Sequence, residues 1–151
     1  MDLLPKLGMP QFPFRTRASD RLEIWDRCRK RWIKLTPEEW VRQHWIWYLI
    51  ESLGYPESWF AIEQRVKKVG FKHRTDIVVG HPAILLVECK APSVAITQQT
   101  ADQAFKYNLT VQAPALGLSN GFQHLFFSRD PVTGQWKQTE NFPPYHSLRT
   151  H

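Results

Sequence analysis

Apolar and polar positions along the chain change period several times, and each change marks an element. Residues 1–21 scatter Pro5, Pro10 and Pro13 among hydrophobes, which predicts an irregular arm, partly mobile or packed over the surface. Leu22–Trp25 and Trp32–Leu35 read as short strands around the basic turn Arg27-Cys28-Arg29-Lys30-Arg31. Thr36-Pro37-Glu38-Glu39 opens a helix: Thr36 is the cap, Pro37 suits the first position, and Glu39 falls where a capping box needs an acid. Val41, Trp45, Tyr48 and Leu49 give that helix an apolar stripe, and Gly54 before Pro56 stops it near Leu53. Trp59 to Val69 alternates Ile62 and Val66 with Glu63, Arg65 and Lys67, predicting a strand that leads through Gly70.

Thr75–Val79 and Ile84–Ala91 form a hairpin over Gly80-His81-Pro82-Ala83, and with the preceding strand they make an antiparallel meander. Both runs are nearly all apolar, as in strands buried on two faces. Pro92 ends the second run, and Thr97–Gln112 reads as a helix with Ile96, Thr100, Ala104 and Tyr107 along one side. Leu116–Ser119 is a further strand, and His124–Ser128 with Gln135–Gln138 a last hairpin. The tail from Phe142, with Pro143-Pro144, is expected to fray. The pattern is mixed α/β (α+β). It predicts a single domain over 22–140, an arm of 1–21 and a flexible tail of 141–151.

Composition narrows the class. The 151 residues are 42% hydrophobic and 13% aromatic, which is globular rather than disordered. A net charge of +6 favours an anionic partner such as nucleic acid. Arg27, Arg29, Lys30, Arg31, Lys34 and Arg42 are the candidate DNA contacts; a solvated charged face is the plainer reading, against which stand the interleaved Trp25 and Trp32. The 2 cysteines make no disulfide framework or zinc spacing. No signal peptide or long apolar run is present, so a soluble, cytoplasmic protein with no membrane partner is expected.

Three ionisable residues interrupt the apolar hairpin: Asp76, Glu88 and Lys90. Alternation puts Glu88 and Lys90 on one face. A three-residue loop sets Asp76 opposite Glu88 and gathers Ile77, Val79, Leu85 and Val87 on the other face; a two-residue loop scatters the charges. Carboxylates paired at roughly 4.5–5.5 Å repel unless a cation lies between them. Asp76, Glu88 and the Cys89 carbonyl offer only oxygen, which suits Mg²⁺ or Mn²⁺ rather than zinc. An acid–lysine ion pair at a sheet edge is the alternative.

The order helix, meander with Asp76…Glu88-Cys89-Lys90, helix, strand resembles the PD-(D/E)xK nucleases, a restriction-endonuclease-like core in which helices flank a central mixed sheet. Thr75 stands where the motif's name has Pro. Gln103…Tyr107 resembles the QxxxY motif of the RecB-like branch. LTPEEWVRQ (35–43), RTDIVV (74–79), LLVECKAP (85–92), DQAFKYN (102–108) and LSNG (118–121) are together similar to the N-terminal nuclease domain of type I restriction enzyme R subunits. The likeness spans about residues 22–128. No GxxxxGK phosphate loop occurs, so ATP-driven translocation is not expected of this polypeptide.

The resemblance implies Mg²⁺- or Mn²⁺-dependent hydrolysis of DNA. Asp76, Glu88 and the Cys89 carbonyl would hold the ion, with Glu39 touching it directly or through water, and Lys90 would orient water or steady charge on phosphate. Gln103 and Tyr107 would line the cleft. Partners would be DNA and other restriction-system subunits, and cutting both strands would need two such sites, hence a homodimer. A non-catalytic nucleic-acid-binding or assembly module is the competing reading, and a small metal-dependent phosphoesterase acting on nucleotides a third.

Overall fold

A computed structural model describes residues 4–65 and 74–148. The predicted continuation of the strand to Val69 and Gly70 lies outside them. The strands are β1 Thr16–Ala18, β2 Leu22–Asp26, β3 Arg31–Lys34, β4 Phe60–Arg65, β5 Arg74–Val79, β6 Leu85–Cys89, β7 Ala115–Ser119, β8 His124–Arg129 and β9 Trp136–Thr139. The α-helices are α1 Pro37–Trp47, α2 Gln98–Val111 and α3 Tyr145–Leu148. β1-β2-β3 form a small antiparallel sheet, and β4-β5-β6-β7-β8-β9 a larger mixed one.

In the large sheet β4, β5 and β6 are antiparallel neighbours, while β6 and β7 run parallel. Parallel strands need a crossover, and α2 supplies it. The fold is therefore mixed α+β, as the sequence predicts.

Two cores follow from alternation in the buried strands. Ile77, Val79, Leu85 and Val87 meet Val41, Trp45 and Ile46 of α1 and Leu49 just beyond it. Leu86, Leu116 and Leu118 meet Ala101 and Ala104 of α2. Ala101, Ala104 and Asn108 are the buried side of α2, so the stripe is displaced from the expected Thr100 and Tyr107. Small residues let the helix approach the sheet, and Asn108 closes its end by bonding both polar groups of the Ala113 backbone at 2.9 Å.

The Thr36 hydroxyl accepts the Glu39 N–H at 3.1 Å, as the cap predicts. The Glu39 carboxylate does not complete a capping box; it turns to Arg42, Arg29 and Gln43. The box is found instead on α2, between Thr97 and Thr100.

The arm packs over the surface, and the described part of the tail is docked where fraying was expected. β1 forms within the arm. Leu7 is buried, and a Cβ on Gly121 would meet its side chain at 2.8 Å. Phe14 packs on Trp40 and His44 of α1, with centroids 5.1 and 4.7 Å away. Phe142, only 3% exposed, lies against Gly117, and the Tyr145 N–H reaches the Leu53 carbonyl at 2.8 Å. Proline disrupts regular structure but does not keep a neighbouring aromatic ring from a core.

Candidate active site

The β5–β6 hairpin carries the acids in the expected register. Val79↔Leu85 and Ile77↔Val87 pair around a three-residue loop, and one further step sets Asp76 level with Glu88. Gly80 opens that loop at φ +93, where an added Cβ would meet the Pro82 carbonyl at 2.9 Å. On the other side of β5, Ile62↔Ile77 and Gln64↔Thr75 set Glu63 level with Asp76. Glu63, Asp76 and Glu88 thus stand in a row across three neighbouring strands.

Glu63 occupies that place at φ 53, in left-handed space that a long side chain avoids. Such a residue costs about 1–2 kcal/mol, which surrounding contacts must offset. Here they are ionic: its carboxylate lies 3.0 Å from Arg42 Nη1 and 3.9 Å from Arg29 Nη1. Period-2 alternation assigned Glu63 to a polar face and missed it. Its level with Asp76, one strand away, was the available signal.

Arg42 is the hub. Its Nε and Nη2 donate to Asp76 Oδ1 at 3.1 and 2.5 Å, and its Nη1 donates to Glu39 Oε1 at 2.5 Å. Glu38 Oε1 is 3.6 Å from Nη2. Burial works against the charge of Arg42, yet Asp76 and Glu39 outweigh it and its pKa is raised. Arg29 is a second hub, donating to Asp26 Oδ2 at 2.7 Å and to Glu39 Oε2 at 3.0 Å. Gln43, fully buried, joins Asp26 and Glu39 at 2.9 and 3.1 Å.

Asp76 Oδ2 accepts the Cys89 N–H at 3.1 Å, so the side chain continues the ladder beyond the last β5–β6 pair. Glu88 is 2% exposed and Cys89 fully buried. Burial, then the Asp76 charge, push the Cys89 thiol up, so it stays a protonated core group. The Lys90 N–H bonds the Ser119 carbonyl at 2.8 Å. Alternation puts Glu88 on the face of Leu86, which α2 covers, and α2 carries an exposed Gln103 and a half-buried Tyr107.

The acid of α1 that opens outward is Glu38, not Glu39. Glu39 is 3% exposed with both oxygens bonded, whereas the side chain of Glu38 is 47% exposed. Burial and then Asp76 push the Glu38 carboxyl up, opposed by Arg42 and Lys90, which are near enough to act on it. Neighbouring acids in one helical turn look alike in sequence; only packing tells them apart.

Three of the candidate DNA contacts serve the fold. Arg27 binds Glu51 at 2.7 Å and also Glu57, over the Trp47 ring. Arg29 and Arg42 are the two hubs. Lys30, Arg31 and Lys34 remain exposed. A cleft of about 340 Å³ is lined by Arg21, Arg31 and Lys34 together with Glu38, Glu39, Arg42 and Glu63. Arg15 and Arg17 are held over the Trp32 ring at 5.5 and 4.3 Å.

Among the described residues, no group of three or more His, Cys, Asp or Glu side chains is placed to hold a metal ion, and no helix is long and apolar enough to cross a membrane. No curated protein and no solved structure matches the chain. A family model described as the type I restriction enzyme R protein N terminus does match, over residues 37–143. That interval takes in α1, the acid row, α2 and the strands that follow, and the chain belongs to the type I restriction enzyme R protein N-terminal family.

Proposed function

We propose that this domain is a metal-dependent DNA endonuclease module of a restriction system, acting through Asp76, Glu88 and Lys90. The observation that carries the reading is the row Glu63, Asp76, Glu88, with Arg42 binding the first two and lining a cleft that also holds Arg21, Arg31 and Lys34. Buried acids in register are costly, and a fold retains them where a cation or a substrate uses them.

The donor chemistry of Asp76, Glu88 and the Cys89 carbonyl, rather than a ready-made cluster of acids, suits a hard divalent ion, Mg²⁺ or Mn²⁺. Donors at Asp76, Glu88 and the Cys89 carbonyl are all oxygen, and Asp76 Oδ1 already faces one cation, the Arg42 guanidinium. Two carboxylates and a carbonyl leave places for water and phosphate oxygens, as magnesium prefers. When bound, such an ion polarises phosphate and lowers the pKa of its water. Lys90 steadies charge growing on the phosphate oxygens. Glu38, with its carboxyl pushed up and its position at the cleft, takes the proton of the attacking water, while buried Glu39, expected from the sequence to touch the ion, is held by Arg42 and Arg29. Gln103 and Tyr107 hold a phosphate oxygen from the α2 side. Lys30, Arg31 and Lys34 attract the DNA backbone without reading sequence. The partners are DNA and the other subunits of such a system, with a homodimer where both strands are cut.

The grip of Arg42 on Asp76 favours a second reading, a nucleic-acid-binding or assembly module without catalysis. Incubation with supercoiled and linear DNA in Mg²⁺ or Mn²⁺, beside Lys90→Ala and Asp76→Ala, separates the two. Cutting that both substitutions abolish supports the nuclease. DNA binding with no cutting in either metal leaves the module.

A further inference from the structure

We propose that Arg42 keeps Asp76 closed to divalent cations at rest and gives it up to them when its guanidinium turns to a DNA phosphate, so that DNA and metal bind cooperatively. The inference rests on the nuclease reading and adds a positioning residue to it.

Asp76 Oδ1 takes two hydrogen bonds from one guanidinium, and Oδ2 takes the Cys89 N–H. A carboxylate has about four lone-pair sites, so three are filled. On this proposal the ion takes the edge at Oδ1 that the guanidinium fills. A second cation there meets the guanidinium as a like charge in a medium of low dielectric. The two cations exclude each other.

Arg42 has somewhere to go. It lines the same cleft as Arg21, Arg31 and Lys34, whose charges draw phosphate in. The planar guanidinium matches a phosphate edge with two parallel bonds, which a carboxylate oxygen bound at one atom does not offer. Its departure takes one guanidinium from Glu39 and Glu63 and leaves them another. Arg29 remains on Asp26 and Glu39 and near Glu63, and Gln43 remains on Asp26 and Glu39. Thus two arrangements share one scaffold and differ in which charge faces Asp76.

Coupling of this kind is reciprocal: whatever factor DNA adds to metal affinity, metal adds to DNA affinity. The test is Mn²⁺ binding, read from the spin-resonance signal of free Mn²⁺, with and without a short DNA duplex. A Lys90→Ala background prevents cutting. In that background, DNA should tighten Mn²⁺ by about tenfold, within the usual range of coupling between two sites. Adding Arg42→Gln should tighten Mn²⁺ by a similar factor without DNA, and DNA should then add less than about twofold. Arg42→Lys, which keeps the charge and loses the fork, should fall between.

If DNA leaves Mn²⁺ affinity unchanged before Arg42 is touched, the proposal fails on that measurement alone. It fails equally if coupling survives in Arg42→Gln, because loss of charge by itself tightens Mn²⁺ but leaves coupling in place. Mn²⁺ bound by no variant, with or without DNA, removes the metal-dependent reading itself; Mn²⁺ bound without coupling removes only the role of Arg42.

Discussion

Asp76 bonds the backbone of Cys89: its Oδ2 accepts the Cys89 N–H at 3.1 Å, while Oδ1 holds Arg42. One carboxylate thereby joins the end of the β5–β6 hairpin to α1, and its structural and chemical roles come apart under substitution. Asp76→Asn keeps an oxygen for Cys89 and removes the charge; Asp76→Ala removes both. Denaturant melts should show the alanine variant less stable than the asparagine variant by about 1–3 kcal/mol, the cost of a stranded buried donor. Both should lack DNA cleavage.

Glu38 and Glu39 should separate in the same two assays. Glu39→Gln weakens the contacts of two buried guanidinium groups and should cost about 2–4 kcal/mol of stability. Glu38→Gln, at a half-exposed site, should change stability by less than about 0.5 kcal/mol and yet depress cleavage.

The Glu38 carboxyl also sets a pH dependence. Its folded pKa is raised above 4.5, so between the two values the folded state binds more protons than the unfolded state. Its contribution to stability is therefore present at low pH and lost as pH rises through the folded pKa. Melts of the wild type and Glu38→Gln from pH 4 upward should differ by that limb, and parallel curves would assign the shift elsewhere.

Cations should sort by what they already touch. Arg31→Gln and Lys34→Gln should each weaken DNA binding evenly across sequences and lower the salt slope by about 1. Arg27→Gln, which breaks contacts to Glu51 and Glu57, should leave the slope unchanged. Fluorescence anisotropy over a salt series measures all three.

Gly117 should not tolerate a methyl group. Its Cβ would lie 2.5 Å from the Phe142 ring, so Gly117→Ala must push the tail off the sheet, at about 1–3 kcal/mol. In a double-mutant cycle with Phe142→Leu the penalties should not add, since the smaller side chain relieves the clash. Additive losses would show that the ring does not need that glycine.

The hairpin register was readable because the physics there is local. Only the three-residue loop gathers Ile77, Val79, Leu85 and Val87 on one face, and a slip by one residue would expose them all. The start of α1 was readable for a similar reason, since Thr36 and Pro37 act within one turn. Arg42 was readable only in part. Helical spacing puts it on the side of Glu39, which it binds, but it also counted as a DNA contact; its partners Glu63 and Asp76 belong to two different strands.

Leu7 and Phe142 illustrate the same division at the two ends. Proline-rich composition says that a segment lacks regular structure, and says nothing about which bare stretch of sheet will accept its one large side chain. Gly121 and Gly117 leave those spaces.

By itself, then, the sequence determined the elements between Leu22 and Thr139, the mixed class, the register that sets Asp76 level with Glu88, and the family, because propensity, capping and alternation act over a few residues. Tertiary structure alone decided that a buried arginine holds Asp76, that Glu38 stays open to solvent while Glu39 is buried, and that Glu63 completes the row. Those outcomes depend on where distant segments place their charges once water is excluded, and electrostatic energies in that setting are set by distances that no local pattern encodes.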